Sequence, residues 1–308
     1  MKKLKLLVKI LLYPFYTLYK EFQYIYAKNN PQKWADKLYK KNFGRTINWK
    51  TPIEFNEKIR WIQFNTDTSE WSLLADKYRV RDYIKSKGYE HILIKLYGKW
   101  DKAEDIDFNT LPNSFVLKTN HGYGEIIIVK DKSKTNLENI REKIKNHLKT
   151  PFGIWTSEPH YLKIKPCIIA EELLIQDNRL SSSLIDYKFY CFNGIPDTCG
   201  VFYDRNVETH ENAMTPYDME WKKHEEWKKD EILTPCKDIP KPLTLELMKQ
   251  ACKDLASQFA FVRMDFYEVK GKLYFGEFTF TPAALSGGSI NNKKYQEWST
   301  YKLHIKND

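Results

Sequence analysis

Apolar runs broken by short turn-forming stretches recur along the chain, and FVLKTNHGYGEIIIVKD, residues 115–131, is one example. Two runs rich in apolar and β-branched residues, 115–118 and 125–130, flank six residues, 119–124, that include Gly122 and Gly124. This pattern predicts a β-hairpin with a six-residue loop.

The rest of the chain predicts helices and hairpins in alternation. Thr51 is expected to cap a helix over 54–64, with Pro52 in its first turn. Asn193-Gly194 predicts a tight turn between two strands within 186–205. The other predicted elements are helices over 72–87, 137–149 and 243–259, strands over 91–98 and 167–176, a hairpin over 261–280, and an irregular excursion over 206–242.

The hairpin over 261–280 carries the most informative side chains. A three-residue loop centred on Gly271 would place Asp265 opposite Glu277, and Arg263 opposite Thr279, on one face. Opposed carboxylates destabilise a sheet unless a positive group lies between them, and Mg²⁺ is typically held by one or two carboxylates. The other face is predicted to enter the core and carries Val262, Met264, Phe266, Tyr274, Phe278 and Phe280.

Two alternatives to a metal site in this hairpin stay open. The ribbon could face solvent, with its acids paired to Arg263 and neighbouring lysines. A two-residue turn would instead place Asp265 and Glu277 on opposite faces of the sheet.

Lys118 lies at the end of the strand that enters the glycine loop. Backbone N–H groups in such a loop can approach an anion, and a nearby ammonium adds charge that suits phosphate. The loop lacks the Gly-Lys-Ser/Thr of a P-loop, and no helix opens after it as in a dinucleotide fingerprint. An ordinary hairpin with a solvated lysine is the alternative interpretation.

The net charge of +10 lies entirely in the first 50 residues, which hold 12 lysines and arginines against Glu21 and Asp36. The rest of the chain is neutral and has no arginine-rich stripe, so nucleic acid is not expected as a partner. Residues 1–28 mix lysines with leucines and tyrosines, and their longest uncharged run, 10–19, contains Pro14 and is too short to cross a bilayer. We expect this segment to lie on an anionic membrane surface, with packing on the protein itself as the alternative.

Cysteine and histidine patterns argue against a zinc or thiolate site. The five cysteines lack CxxC spacing, and the seven histidines lack HxxH and HExxH patterns. Reduced, mostly buried thiols are therefore expected.

Five segments, read in order, resemble the ATP-grasp superfamily and within it the TupA-like group, which is associated with teichuronopeptide and capsular polysaccharide biosynthesis. The resemblance runs from about Thr51 to Ala284 and rests on ADKYRVRDYI, LPNSFVLKTNHGYG, IIAEELL, DYKFYCFNG and VRMDFYEVKGKLYFGEFTFTP. It implies an α+β ATP-grasp fold, in which two α+β lobes with antiparallel sheets enclose the nucleotide behind a helical N-terminal region. The expected divisions are a basic segment over 1–50, an N-terminal lobe over 51–113, ATP-grasp subdomains over 114–176 and 177–285, and a tail over 286–308.

The resemblance also implies ATP and Mg²⁺ as cofactors and assigns residues to them. The residues implied for ATP are Lys77, Lys118, His121, Gly122, Gly124, Glu171, Glu172 and Lys188, with Glu172 favoured for the ribose hydroxyls. The metal ligands implied are Asp265, Glu277 and Thr279. Thr279 stands where many ATP-grasp enzymes have an asparagine, which leaves the number of metal ions open. The residues implied for catalysis are Lys188, Arg205 and Arg263.

The reaction that the resemblance implies is phosphorylation of a carboxylate by ATP, followed by attack of an amine to form an amide. The implied substrates are small molecules or saccharides of a cell-surface or capsular polysaccharide, at the cytoplasmic side of a bacterial plasma membrane. A glycosyltransferase of the same pathway is one alternative, although it would need a DxD-type motif beside a parallel sheet. A non-catalytic, nucleotide-binding membrane protein is the other.

Overall fold

The computed structural model describes residues 2–122, 126–206, 209, 211–232 and 234–305, with the backbone alone for 2–12, 14 and 15. Its helices are α1 (Lys2–Asn29), α2 (Pro31–Phe43), α3 (Phe55–Asn65), α4 (Ser69–Leu74), α5 (Val80–Ser86), α6 (Leu137–Lys149), α7 (Pro159–Leu162), α8 (Leu245–Ala256) and α9 (Asn292–Ser299). Its strands are β1 (Leu96–Trp100), β2 (Phe115–Thr119), β3 (Ile126–Val129), β4 (Ile168–Glu171), β5 (Asp186–Phe192), β6 (Ile195–Tyr203), β7 (Ala213–Tyr217), β8 (Phe261–Val269) and β9 (Lys272–Thr279).

The strands form two antiparallel sheets. The first has the order β1-β4-β2-β3 and the second has the order β7-β6-β5-β8-β9. Because β1 belongs to the first sheet, the predicted N-terminal lobe over 51–113 contributes a strand to the region that follows it. The α+β class with antiparallel sheets behind a helical N-terminal region is confirmed.

In each sheet, a helix covers one face. In the first, Phe115 and Leu117 of β2 form a buried cluster with Ile140 and Ile144 of α6, whose apolar residues recur at the three- and four-residue spacing of a helix face. In the second, residues of β5 and β8 share a larger core with Met248, Cys252 and Leu255 of α8. The opposite faces of the two sheets are therefore left to line a site between them.

Several local predictions are confirmed. β2 and β3 form the hairpin around the glycine loop, with Lys118 opposite Ile126. Asn193 and Gly194 make the turn between β5 and β6 with positive φ of 51° and 81°, as this turn type requires. Helices α6 and α8 lie where the pattern predicts them. The five cysteines are free, and four of them are buried.

The single helix predicted over 72–87 is wrong, because the chain breaks into α4 and α5. The buried Asp76 makes the break: its Oδ1 accepts the backbone N–H groups of Tyr78 and Arg79, at 2.9 and 3.1 Å. An Asp side chain that binds these groups competes with helix continuation and favours a new helix start. Lys77 therefore lies in a turn, and not within a helix.

Other element boundaries also differ from the prediction. Glu54, and not Thr51, caps α3, in a capping box with Glu57. The strand predicted over 91–98 starts only at Leu96, and the strand predicted over 167–176 ends at Glu171. The excursion over 206–242 includes β7, which pairs with β6 at the sheet edge.

The last hairpin places Asp265 opposite Glu277 as predicted, but not through a three-residue turn. The turn has two residues, with Val269 opposite Lys272, and the register shifts by one residue at a β-bulge between Asp265 and Phe266. Opposite that step, Gly276 is the extra residue on β9. Between the bulge and the turn, the side chains of β9 therefore lie on the opposite face from the one that the sequence pattern predicts.

Tyr274 is therefore not the core residue that the pattern predicts. It lies opposite Tyr267 and is half-buried, while its neighbours Leu273 and Phe275 enter the core.

Helix α1 continues through Pro14 and packs on the protein near its C-terminal end. Ala27 forms a small buried cluster with Trp34 and Ile154, and the Tyr24 ring lies 5.9 Å from that of Trp155. No helix among the described residues is long and apolar enough to span a bilayer.

Candidate active site between the two sheets

A cleft with about 790 Å³ of space, including solvent at its mouth, lies between the two sheets. The first sheet contributes residues of β2, β3 and β4, and the second contributes residues of β5, β8 and β9. Five cationic and four anionic side chains line it: Lys77, Arg81, Lys118, Lys188 and Arg205, and Glu171, Asp186, Asp265 and Glu277. The excess of cationic groups suits an anionic ligand.

On the first sheet, Lys118 and Glu171 project into the cleft from adjacent strands. Their alternate neighbours, Leu117 and Ala170, enter the core, so the two-residue period of a strand directs both charged groups to the open face. The Lys118 Nζ donates to Glu171 Oε2 at 2.7 Å, and Arg81 from α5 contacts Glu171 Oε1 at 3.2 Å. Two cations therefore converge on one buried carboxylate.

Lys77 joins the glycine loop to the second sheet. Its Nζ donates to the Gly122 carbonyl and lies 3.7 Å from Glu277 Oε2. The Lys77 backbone N–H also donates to the Asn120 carbonyl, at 3.1 Å. The α4–α5 break, which places Lys77 in a turn, thus brings an ammonium between the loop and the carboxylate of β9.

On β5, Asp186 and Lys188 share one face of the strand and lie near Asp265 of β8. Lys188 donates directly to Asp265 Oδ2, and its Nζ lies 3.8 Å from Asp186 Oδ2. The Arg205 guanidinium contacts Asp186 at 2.6 Å. Burial alone would lower the pKa of Arg205, but Asp186, Tyr267, Asp265 and Glu277 together raise it overall.

Arg263 links the two opposed carboxylates from within the sheet. Its guanidinium makes two hydrogen bonds of 2.7 Å to Asp265, one of 3.2 Å to Glu277 and one of 3.0 Å to the Thr279 hydroxyl. The alternative in which the acids of this ribbon pair with Arg263 is thus partly realised, because Arg263 contacts both of them. The ribbon does not face open solvent, however, since Asp265 is only 1% exposed.

Glu277 stays ionised in this setting. Burial alone would raise its pKa, but the positive charges of Lys77, Arg263 and Lys188 hold the pKa at about 2. Its side chain keeps a third of its surface exposed toward the cleft. An ionised carboxylate with free surface is therefore available to a cationic ligand.

The donor set of Asp265, Glu277 and Thr279 fits Mg²⁺. All three offer oxygen, the ligand type that Mg²⁺ prefers, and one or two carboxylates suffice when nucleotide phosphates and water complete its coordination. Among the described residues, no cluster of three or more His, Cys, Asp or Glu side chains could hold a metal. A metal here would thus depend on oxygen atoms from a bound ligand.

The cleft brings together most of the residues that the sequence predicts. Lys77, Lys118, Gly122, Glu171, Lys188, Arg205, Asp265 and Glu277 line it. Four others do not: His121 contacts the Thr150 carbonyl, Glu172 donates its N–H to the Lys95 carbonyl, and Arg263 and Thr279 lie behind the carboxylates. Gly124 lies outside the described residues.

Among the ionisable side chains that line the cleft, sequence reasoning missed three: Arg81, Asp186 and Tyr267. The two-residue period was a usable signal for two of them, since Asp186 precedes Lys188 and Tyr267 follows Asp265 by two positions on the same strand. Arg81 had no such signal, because the break between α4 and α5 is not evident from the pattern.

A two-sheet cleft with phosphate-suited cations on one side and opposed carboxylates on the other defines a nucleotide-binding fold of the ATP-grasp class. The TupA-like ATP-grasp family model matches residues 57–301, and the chain belongs to this family. A search of curated proteins finds no significant match.

Three ligases are among the solved structures to which the chain is similar. D-alanine–D-alanine ligase from Bacillus anthracis, complexed with ATP, is 15% identical with a TM-score of 0.41, over 68% of this chain and 55% of that one. L-amino acid ligase from Bacillus licheniformis is 13% identical with a TM-score of 0.47, over 75% and 50%. The ATP-grasp ligase PsnB, complexed with a minimal precursor, Mg and ADP, is 12% identical with a TM-score of 0.38, over 73% and 57%. The chain thus spans about half the length of these structures.

Proposed function

We propose that this protein is an ATP-dependent carboxylate–amine ligase that works through an acyl phosphate. The observation that carries the proposal is the convergence of Lys118, Lys77 and the opposed pair Asp265 and Glu277 on one cleft, with Lys77 in contact with both the glycine loop and Glu277. Membership of the TupA-like ATP-grasp family supports the same reading.

The cleft residues divide into a nucleotide side and an acyl side. Lys118 and the amides of the glycine loop would bind phosphate oxygens, with Lys118 held by Glu171, which Arg81 also contacts. Lys188 and Arg205, held by Asp186, would bind the substrate carboxylate and orient it toward the terminal phosphate. Glu172 stays a prediction for the ribose, as does His121 for ATP.

Asp265, Glu277 and Thr279 would hold Mg²⁺, which when bound would neutralise charge on the phosphates. Arg263 holds both carboxylates on the cleft side of the ribbon and keeps them close together. Lys77 adds positive charge at Glu277 from the opposite wall. These contacts order the acidic pair before a nucleotide arrives.

We further propose that the substrates belong to a cell-surface or capsular polysaccharide and that the reaction takes place at the cytoplasmic membrane surface. Helix α1 supports the location, because its side opposite Tyr24 and Ala27 is apolar and open to solvent: Leu18, Tyr19, Phe22, Ile25 and Tyr26. Lysines at 2, 3, 5 and 9 precede this strip. An apolar strip beside lysines fits the boundary of an anionic lipid layer.

The test is Mg²⁺-dependent ADP release across libraries of carboxylates and amines, with the amide product identified by mass spectrometry. Asp265→Asn and Glu277→Gln should each lower the rate of ADP release at least tenfold. Glu220→Gln, which replaces an exposed acid that does not line the cleft, should leave this rate unchanged. Undiminished ADP release in both cleft variants would remove the metal assignment.

Other outcomes of this assay would favour the alternatives. Consumption of a sugar nucleotide without ATP turnover would indicate a glycosyltransferase. Nucleotide binding without turnover on any substrate pair would indicate a non-catalytic protein.

A further inference from the structure

Tyr267 lines the cleft but has no part in the function proposed above. It lies two positions after Asp265 on β8, so its side chain projects from the same face of the strand. On the adjacent strand β5, Lys188 pairs with Asp265. Continued by two residues, this antiparallel register brings Asp186 beside Tyr267. Tyr267 therefore lies on the acyl side of the cleft, where Asp186 holds Arg205.

The Tyr267 hydroxyl makes no hydrogen bond to another described residue. The carboxylates around it are already paired with cations, since Asp186 contacts Arg205 and Asp265 contacts Lys188. The fully buried polar atoms that lack a partner do not include the Tyr267 oxygen, so this half-buried side chain keeps its hydroxyl accessible from the cleft. A phenol can donate one hydrogen bond, and here that donor is available to a ligand.

This hydroxyl stays protonated at neutral pH. Burial raises the pKa of Tyr267 well above its ordinary value. The charges of three carboxylates act in the same direction: Asp186, Glu277 and Asp265. The cleft therefore holds an uncharged donor among groups that are otherwise charged.

An uncharged donor on the acyl side suits the carbonyl oxygen of an acyl phosphate. This oxygen has no formal charge until the amine attacks, and a preorganised hydroxyl can stabilise the charge that then develops. On the basis of the ligase proposal, we propose that the Tyr267 hydroxyl donates a hydrogen bond to the carbonyl oxygen of the acyl phosphate.

This hydrogen bond strengthens during amide formation. As the amine nitrogen bonds to the carbonyl carbon, the π electron pair of the carbonyl moves to its oxygen, which becomes negative. The carbonyl then forms again while the bond from carbon to the phosphate oxygen breaks, and phosphate leaves with that electron pair. The surplus proton of the amine passes to solvent, and Tyr267 keeps its own proton throughout.

Tyr267→Phe removes the hydroxyl and keeps the ring. With a carboxylate–amine pair that supports turnover, we expect the variant to lower kcat for amide formation at least tenfold, with unchanged affinity for ATP in the presence of Mg²⁺. The unfolding midpoint should also stay unchanged, because no protein hydrogen bond is lost. Tyr274→Phe is the matched control: Tyr274 pairs with Tyr267 across the two strands, is also half-buried, and does not line the cleft.

A binding measurement needs no turnover and so separates this inference from the ligase proposal. The full chain is labelled with 3-fluorotyrosine, and the fluorine NMR signals that are missing from Tyr267→Phe and Tyr274→Phe identify the two rings. The probe, added with Mg²⁺ and ADP, is acetonylphosphonate, a stable analogue of acetyl phosphate in which a methylene group replaces the bridging oxygen. We expect the Tyr267 signal to shift with this probe and not with propylphosphonate, which lacks the carbonyl. The Tyr274 signal should shift with neither.

Two results would overturn the inference. One is a Tyr267 signal that responds equally to the two phosphonates or to neither, and the other is an unchanged kcat in Tyr267→Phe. Failure of the ligase proposal would look different, because no carboxylate–amine pair would then support ADP release by the unmodified chain. In that case the fluorine signal alone decides whether Tyr267 contacts the carbonyl.

Discussion

Replacing Gly276 by alanine tests the link between the β-bulge and the candidate metal site. An alanine Cβ at this position would lie 2.9 Å from the Asp265 carbonyl oxygen and 3.3 Å from the Asp265 Cβ. The first distance is shorter than Cβ atoms adopt in proteins, and the obstacle is backbone, so β8 and β9 must move apart or shift register. Overpacking of this kind costs about 1–3 kcal/mol.

The residue that this substitution displaces is Asp265, which lies opposite Glu277. We therefore expect Gly276→Ala to weaken Mg²⁺-dependent ATP binding at least tenfold, which corresponds to about 1.4 kcal/mol. A fluorescent ATP analogue, titrated with and without Mg²⁺, would measure this loss, and thermal unfolding would measure the change in stability.

Gly88→Ala is the matched control. Gly88 has a φ of +80° with open space around it, so alanine there costs about 1–2 kcal/mol of backbone strain without touching the cleft. Comparable destabilisation in the two variants, with nucleotide affinity lost only in Gly276→Ala, is the expected result. Wild-type affinity and Mg²⁺ dependence in Gly276→Ala would refute the role of the bulge.

Three further predictions concern other parts of the chain. Lys118→Met should weaken ATP binding at least tenfold with little change in the unfolding midpoint, because Glu171 keeps Arg81 as its partner. Equal binding of ATP and adenosine by the unmodified chain would contradict this role of Lys118. Burial, together with nearby Arg60 and Lys163, lowers the pKa of His160 to about 3. As the pH falls below 6.5, His160 therefore binds a proton in the unfolded chain but stays neutral in the folded chain. The stability that depends on neutral His160 should therefore decrease by about 2 kcal/mol between pH 6.5 and pH 5, and chemical denaturation of His160→Gln should show a smaller loss over this range. The double variant Phe22→Ser, Ile25→Ser should lose binding to anionic vesicles in a flotation assay and keep its unfolding midpoint, because both side chains are more than half exposed; unchanged flotation would count against membrane docking through this strip.

Local sequence signals predicted the hairpins well. The Asn193-Gly194 turn and the apolar runs on either side of Gly122 act through neighbouring residues, so the strands of these two hairpins follow from short segments. The helix over 72–87 was wrong for the opposite reason: Asp76 satisfies backbone groups that a helix would use, and its place in the folded protein is not evident from periodicity.

The last hairpin shows which features the sequence determined and which the tertiary structure determined. The sequence by itself supplied Arg263, Asp265, Glu277 and Thr279 at spacings of two and placed a turn near Gly271. The tertiary structure decided that the turn has two residues and that a bulge at Gly276 restores the facing pair, because register depends on how both strands pack against the core. It also brought Lys77 and Lys118 from distant segments to the same cleft, since the approach of two sheets depends on long-range packing that no local pattern encodes.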